Sequence, residues 1–158
     1  MSFKNYKRRR EGKTDYVKRL GMLKSGKPRL VVRKSNRNVL VQLVVFNEKG
    51  DETVASAITS DLKKFGFEGK CNTPSAYLTG LLAGKRALKK GFKEFISDIG
   101  LNTPSKGSVV FSAVKGAVDA GLKGVIGDVV DLNRVEGKHL SEEVQKSFIE
   151  AKKRIEVD

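Results

Sequence analysis

Residues 29–59 read RLVVRKSNRNVLVQLVVFNEKGDETVASAIT. Three apolar, β-branched runs are separated here by two polar, turn-forming clusters. In the first run, Arg29 to Lys34, Leu30 and Val32 can face inward while Arg29, Val31 and Arg33 take the other face, because side chains alternate along a strand. Ser35-Asn36-Arg37-Asn38 is a polar turn with residues that tolerate left-handed backbone. The second run, Val39 to Phe46, is apolar on both faces, as expected of a central strand covered on both sides. Asn47 to Asp51 contains Gly50 and closes a hairpin. The third run, Thr53 to Thr59, has small residues suited to close helix packing. An antiparallel meander is predicted, and the rest of the chain has to cover it.

Downstream, Ser60 to Phe65 can make a short helical turn. Residues 73–90 predict the clearest helix: Thr73 as cap, Pro74 in the first turn, and Gly91 as the stop. Ala76, Gly80, Ala83, Gly84 and Ala87 give it a small-residue face, which lets its backbone approach a sheet. An interior glycine costs a helix about 1 kcal/mol relative to alanine, so Gly80 and Gly84 suggest a packing reason. Phe92 to Ile99 reads as a fourth strand, and a strand reached through a helix is placed parallel to its neighbour. Ser108 to Ala120 predicts a second major helix, ended by Gly121. Residues 122–140 read as a loop with short turns. Ser141 then opens a last helix with Val144, Phe148, Ala151 and Ile155 on one narrow stripe, packed on the body or on a partner. The class is α/β.

Charge is segregated. The first 37 residues hold 14 of the 32 Lys and Arg against two acids, Glu11 and Asp15, a net +12 out of +14 for the whole chain. The remaining 121 residues carry only +2. Charge gathered in this way is a footprint for a polyanion. Residues 1–13 repel one another and have nothing to bury, which predicts disorder in the free chain. Phe3 and Tyr6 lie among the bases, where rings can stack on nucleobases. Thr14 to Lys24 can form a short helix, with Thr14 as cap, Asp15 in the first turn, and Val17, Leu20 and Leu23 on one side. Ser25-Gly26-Lys27-Pro28 breaks it.

Other function classes fit less well. The longest apolar run has eight residues, against the about 20 that span a bilayer. The basic arm lacks the wide apolar face of a membrane-surface helix, so no membrane partner is expected. One cysteine, Cys71, and no apolar signal segment predict a protein of a reducing compartment. Cys71 and His139 are the only residues of their kinds and share no catalytic or metal-binding spacing. No phosphate-binding glycine loop and no cofactor motif occurs. A metal-dependent nuclease would need clustered carboxylates; Asp98 and Asp119 are the candidates, and the first two strands add none. A basic adaptor for an acidic protein is a further alternative.

LKSGKPRLVVRKSN (23–36) and NTPSAYLTGLLAGKRALKKG (72–91) resemble a known family. So do RRREGKTDY (8–16), DIGL (98–101) and KGSVVFSAVKGAVDAGL (106–122). The resemblance is to the large-subunit ribosomal protein eighteen family, archaeal and eukaryotic type, over residues 6–122. It implies a mixed four-stranded sheet of order 3-2-1-4 with packed helices, a ribonuclease-H-like arrangement without catalytic acids. It also implies no cofactor and a structural role in the large subunit of the cytoplasmic ribosome. The implied partners are 5S ribosomal RNA, large-subunit ribosomal RNA in the central protuberance, and neighbouring proteins, the ribosomal protein five family among them. The implied organisation is a basic RNA-binding arm (1–28), an α/β domain (29–122) and a C-terminal loop and helix (123–158). Carried onto this chain, the RNA-contacting residues are Arg8, Arg9, Arg10, Lys13, Tyr16 and Arg19 of the arm. Lys24, Lys27, Arg29, Arg33, Lys34, Ser35, Asn36 and Arg37 continue the set along the first strand and its turn. Arg33 is expected to face outward.

Overall fold

The computed structural model describes residues 6–157. The meander forms as expected: β1 (Arg29–Lys34), β2 (Val39–Val45) and β3 (Glu52–Ile58) pair antiparallel. A helix, α3 (Thr73–Lys89), crosses to β4 (Ile96–Asp98), which pairs parallel to β1. The sheet order is β3-β2-β1-β4, the order that the resemblance implied.

Alternation along the strands sets the core. Leu30 and Val32 of β1 sit opposite Leu43 and Val41 of β2, and Leu43 and Val41 sit opposite Ala55 and Ala57 of β3. All six are buried under α3 and α4 (Val109–Asp119). The other face departs from expectation. Leu40 and Gln42 of β2 are only half-buried, so the central strand is covered by helices on one face and not on both. β4 is also shorter than expected. Lys93 and Phe95 exchange backbone hydrogen bonds with Lys123 instead of with β1, and Gly91, in left-handed backbone, has already turned the chain out of α3.

The small-residue face of α3 meets another helix more closely than it meets the sheet. A β-carbon at Gly80 would lie 1.9 Å from the carbonyl oxygen of Ala113 in α4, and one at Gly116 would lie 2.1 Å from that of Tyr77. The helices touch backbone to backbone, so each glycine offsets its helix-propensity cost by permitting that contact. Gly80→Ala should therefore destabilise the fold by about 2–3 kcal/mol despite the better helix former. Gly21→Ala, at a position with nothing within 4 Å, should be neutral or slightly stabilising. Urea titration of the two variants checks both signs.

The last helix, α6 (Glu142–Val157), docks on the body through the expected stripe: Phe148, Ala151 and Ile155 are buried, and Val144 packs beside them. Phe148 sits 5.9 Å from the ring of Tyr77 and 6.5 Å from that of Phe67. Between α4 and α6 the chain makes one short helix, α5 (Leu132–Val135). The 3₁₀ turn Thr59–Phe65 occupies the place of the expected helical turn. No helix among the described residues is long and apolar enough to cross a membrane.

Candidate nucleic-acid interface

Residues 1–5 of the stretch expected to be disordered lie outside the described residues, and local structure is described from Tyr6 on. Lys7–Arg10 form a single helical turn, α1, although like charges oppose it. Arg8 donates to the Thr14 hydroxyl at 2.8 Å, and the rings of Tyr6 and Tyr16 lie 5.2 Å apart, which folds the segment back on itself. The second arm helix, α2, runs Tyr16–Leu23. Its cap is Asp15 and not Thr14: the Asp15 carboxylate accepts from the backbone N–H of Val17 and Lys18. Neither helix contributes a buried residue, and Val17 and Leu20 are exposed. Phe3 lies outside the described residues.

One ion cluster joins the arm to the sheet. Arg19 of α2 pairs with Asp51 in the β2–β3 loop at 2.9 Å. Arg29 of β1 pairs with the same Asp51, and its other Nη lies 2.9 Å from Asp98 of β4. Arg33 donates to Asp98 Oδ1 at 2.9 Å and to the Asp98 carbonyl at 2.8 Å. Gly100 is in left-handed backbone, and its N–H caps the same carboxylate at 2.9 Å. A β-carbon at Gly100 would come within 2.9 Å of the Arg33 guanidinium, so this site needs glycine.

The cluster takes up Arg29, one of the expected contact residues. Arg29 is 4% exposed and spent on two carboxylates. A cation on that face of β1 has to be paired once the β2–β3 loop and β4 close over it. Arg33 does face outward, with 43% of its side chain exposed, but it is also tied to Asp98. Asp51 and Asp98 were not read as partners of these arginines, and Asp98 stands 69 positions from Arg29.

The other expected contact residues divide into engaged and open. Lys13 pairs with Glu11 at 2.9 Å and Lys27 with Glu94 at 2.7 Å. The Lys27 ammonium, through its hydrogen bond, holds the Glu94 carboxyl below the usual range. Arg9, Arg10, Lys24, Lys34 and Arg37 are exposed and have no ion-pair partner among the described residues. Ser35 closes the β1–β2 turn, its backbone N–H donating to the Asn38 carbonyl at 2.8 Å while its hydroxyl accepts from the Asn38 N–H at 3.0 Å. Asn36 and Arg37 stand exposed at the tip of that turn.

The two candidate nuclease acids are both occupied. Asp98 is neutralised by Arg29 and Arg33. Asp119 accepts from the Tyr77 hydroxyl at 2.9 Å and pairs with Lys115 at 2.9 Å. Burial, and then that hydrogen bond, push the Tyr77 hydroxyl pKa well above its ordinary value, so it stays protonated and donating. No group of three or more His, Cys, Asp or Glu among the described residues could hold a metal ion.

A nearly neutral α/β body carrying a concentrated, open cationic arm is the build of a polyanion-binding protein. A family model described as "Ribosomal large subunit proteins 60S L5, and 50S L18" matches residues 2–94. The large ribosomal subunit protein uL18 of Haloarcula marismortui is 55% identical over 139 residues, covering 86% of this chain and 74% of that protein. Its counterpart in Thermofilum pendens is 54% identical over 138 residues, covering 85% and 70%. That of Halobacterium salinarum is 55% identical over 139 residues, covering 86% and 76%. The chain belongs to the uL18 family of large ribosomal subunit proteins. This is a family of structural ribosomal constituents, which work in assembly with ribosomal RNA and other ribosomal proteins.

Proposed function

We propose that this protein binds 5S ribosomal RNA and helps attach it to large-subunit RNA in the central protuberance of the cytoplasmic ribosome, beside a protein of the ribosomal protein five family. The observation that carries the reading is charge segregation: a net +12 in the first 37 residues, against +2 in all the rest. Its open cations lie on α1, on α2 and on the β1–β2 turn. Phosphates and shape dominate recognition of duplex RNA, and the exposed Tyr6 ring is available to stack on an unpaired base. The Arg19–Asp51 pair ties α2 to the β2–β3 loop, at the end of the sheet where β1 begins.

The test is to purify the tagged chain from its host at low salt and sequence the RNA that accompanies it. Enrichment of 5S ribosomal RNA is expected, together with a gel shift of a 5S transcript that survives incubation with Mg²⁺ undegraded. Recovery of an acidic protein and no ribosomal RNA would refute the reading, and so would cleavage of the transcript.

A further inference from the structure

Beside the β1–β2 turn lies a hollow of about 440 Å³ that none of the expected contact residues beyond that turn explains. Arg37 reaches it from the turn, Ser60 and Lys63 from the 3₁₀ turn, and Lys70 from the link that leads into α3. Arg37 and Lys63 are exposed and have no ion-pair partner among the described residues. Lys70 has one acid near it, Glu68, at 3.6 Å with both side chains largely in solvent. Three cations therefore face one hollow against a single, loosely held carboxylate.

The walls are fixed before any ligand arrives. Asn38 Oδ1 accepts from the hydroxyls of Thr59 and Ser60 at 2.9 and 3.3 Å, which locks the turn to the 3₁₀ turn. Gly69 packs so closely on Thr59 that a β-carbon there would lie 2.0 Å from the Thr59 carbonyl oxygen. No large apolar side chain lines the hollow, so a docking peptide would find nothing in which to bury an anchor. Cations gathered at a hollow with fixed walls and no apolar floor suit a phosphate group.

We infer that this hollow holds a backbone phosphate of the bound 5S RNA, with Lys63 and Lys70 as contacts that extend the interface past the arm and the turn. This rests on the RNA-binding reading above. The side chains of Lys63 and Lys70 support nothing buried, so Lys63→Gln/Lys70→Gln should melt like the wild type. It should bind a 5S transcript about tenfold more weakly, with a salt slope shallower by about 1, as expected for one lost phosphate contact. Glu68→Gln should act in the opposite direction and tighten binding about twofold, which a merely structural role would not produce. Cys71, half-buried in the same wall and the only cysteine, provides a reporter: bound RNA should slow its alkylation by maleimide severalfold.

A wild-type chain that fails to shift the transcript would sink the functional reading and this inference with it. A wild type that shifts normally beside a double variant of unchanged affinity and unprotected Cys71 would overturn the inference alone. Loss of an acidic protein partner from the double variant, with RNA affinity intact, would reassign the hollow to protein and overturn it as well.

Discussion

Removing residues 1–28 should lower the affinity for 5S ribosomal RNA by roughly 10³-fold while leaving a folded body. The segment carries Lys7, Arg9, Arg10, Lys18 and Lys24, all exposed and without an ion-pair partner among the described residues. If these neutralise about five phosphates, each contributes about 0.7–0.9 to the salt slope, and the truncated chain should lose roughly 4 from it. The body should survive because α1 and α2 bury nothing and the core begins at Leu30. Asp51 loses Arg19 but keeps Arg29, and a partly exposed pair is worth only about 0–1 kcal/mol. Binding measured from 50 to 200 mM salt, with circular dichroism of the truncated chain, checks both halves. An equal slope with and without the arm would show that the grip lies elsewhere.

Much of the body was legible because its signals are local. Alternation in the first strand placed Leu30 and Val32 inward, and Phe148, Ala151 and Ile155 marked the contact stripe of the last helix. Helix starts were displaced by one residue where two capping residues adjoin. Asp15 caps in place of Thr14, and Asn72, accepting from the Ser75 N–H at 3.0 Å, caps in place of Thr73. The choice depends on which residue keeps extended backbone, which composition does not reveal. Pairings across long separations were illegible for a deeper reason. Arg29, Asp51 and Asp98 become neighbours only when the hairpin loop and β4 flank the same end of β1. A sequence read by pattern saw Arg29 as one more cation in a cationic stretch. Likewise, the contact between Tyr6 and Tyr16 joins rings ten positions apart, which composition does not show.

The buried end of that cluster makes the second large prediction. Asp98→Asn should destabilise the fold by about 3–5 kcal/mol, lowering Tm by roughly 10 °C or more for a chain of this size. Asp98 is 4% exposed and receives Arg29, Arg33 and the Gly100 N–H. Asparagine keeps the volume but presents an amide N–H₂ to a guanidinium, donor against donor. Arg29 then retains only Asp51, and its Nε is already buried without a partner. RNA binding should respond differently. The variant gains one positive charge and removes the ion pair of Arg33, which is 43% exposed and keeps its bond to the residue-98 carbonyl, so affinity below the melting range should hold or rise. This split separates the internal strut from the gripping surface. Arg29→Met combined with Asp98→Asn should recover part of the lost stability, since it removes the stranded charge together with its partner. If Asp98→Asn alone melts within about 1 kcal/mol of wild type, Asp98 does not hold β1 and β4 together. If it instead melts as expected but abolishes RNA binding at low temperature, Arg33 and Asp98 act on the RNA as a pair, and the division between strut and surface fails.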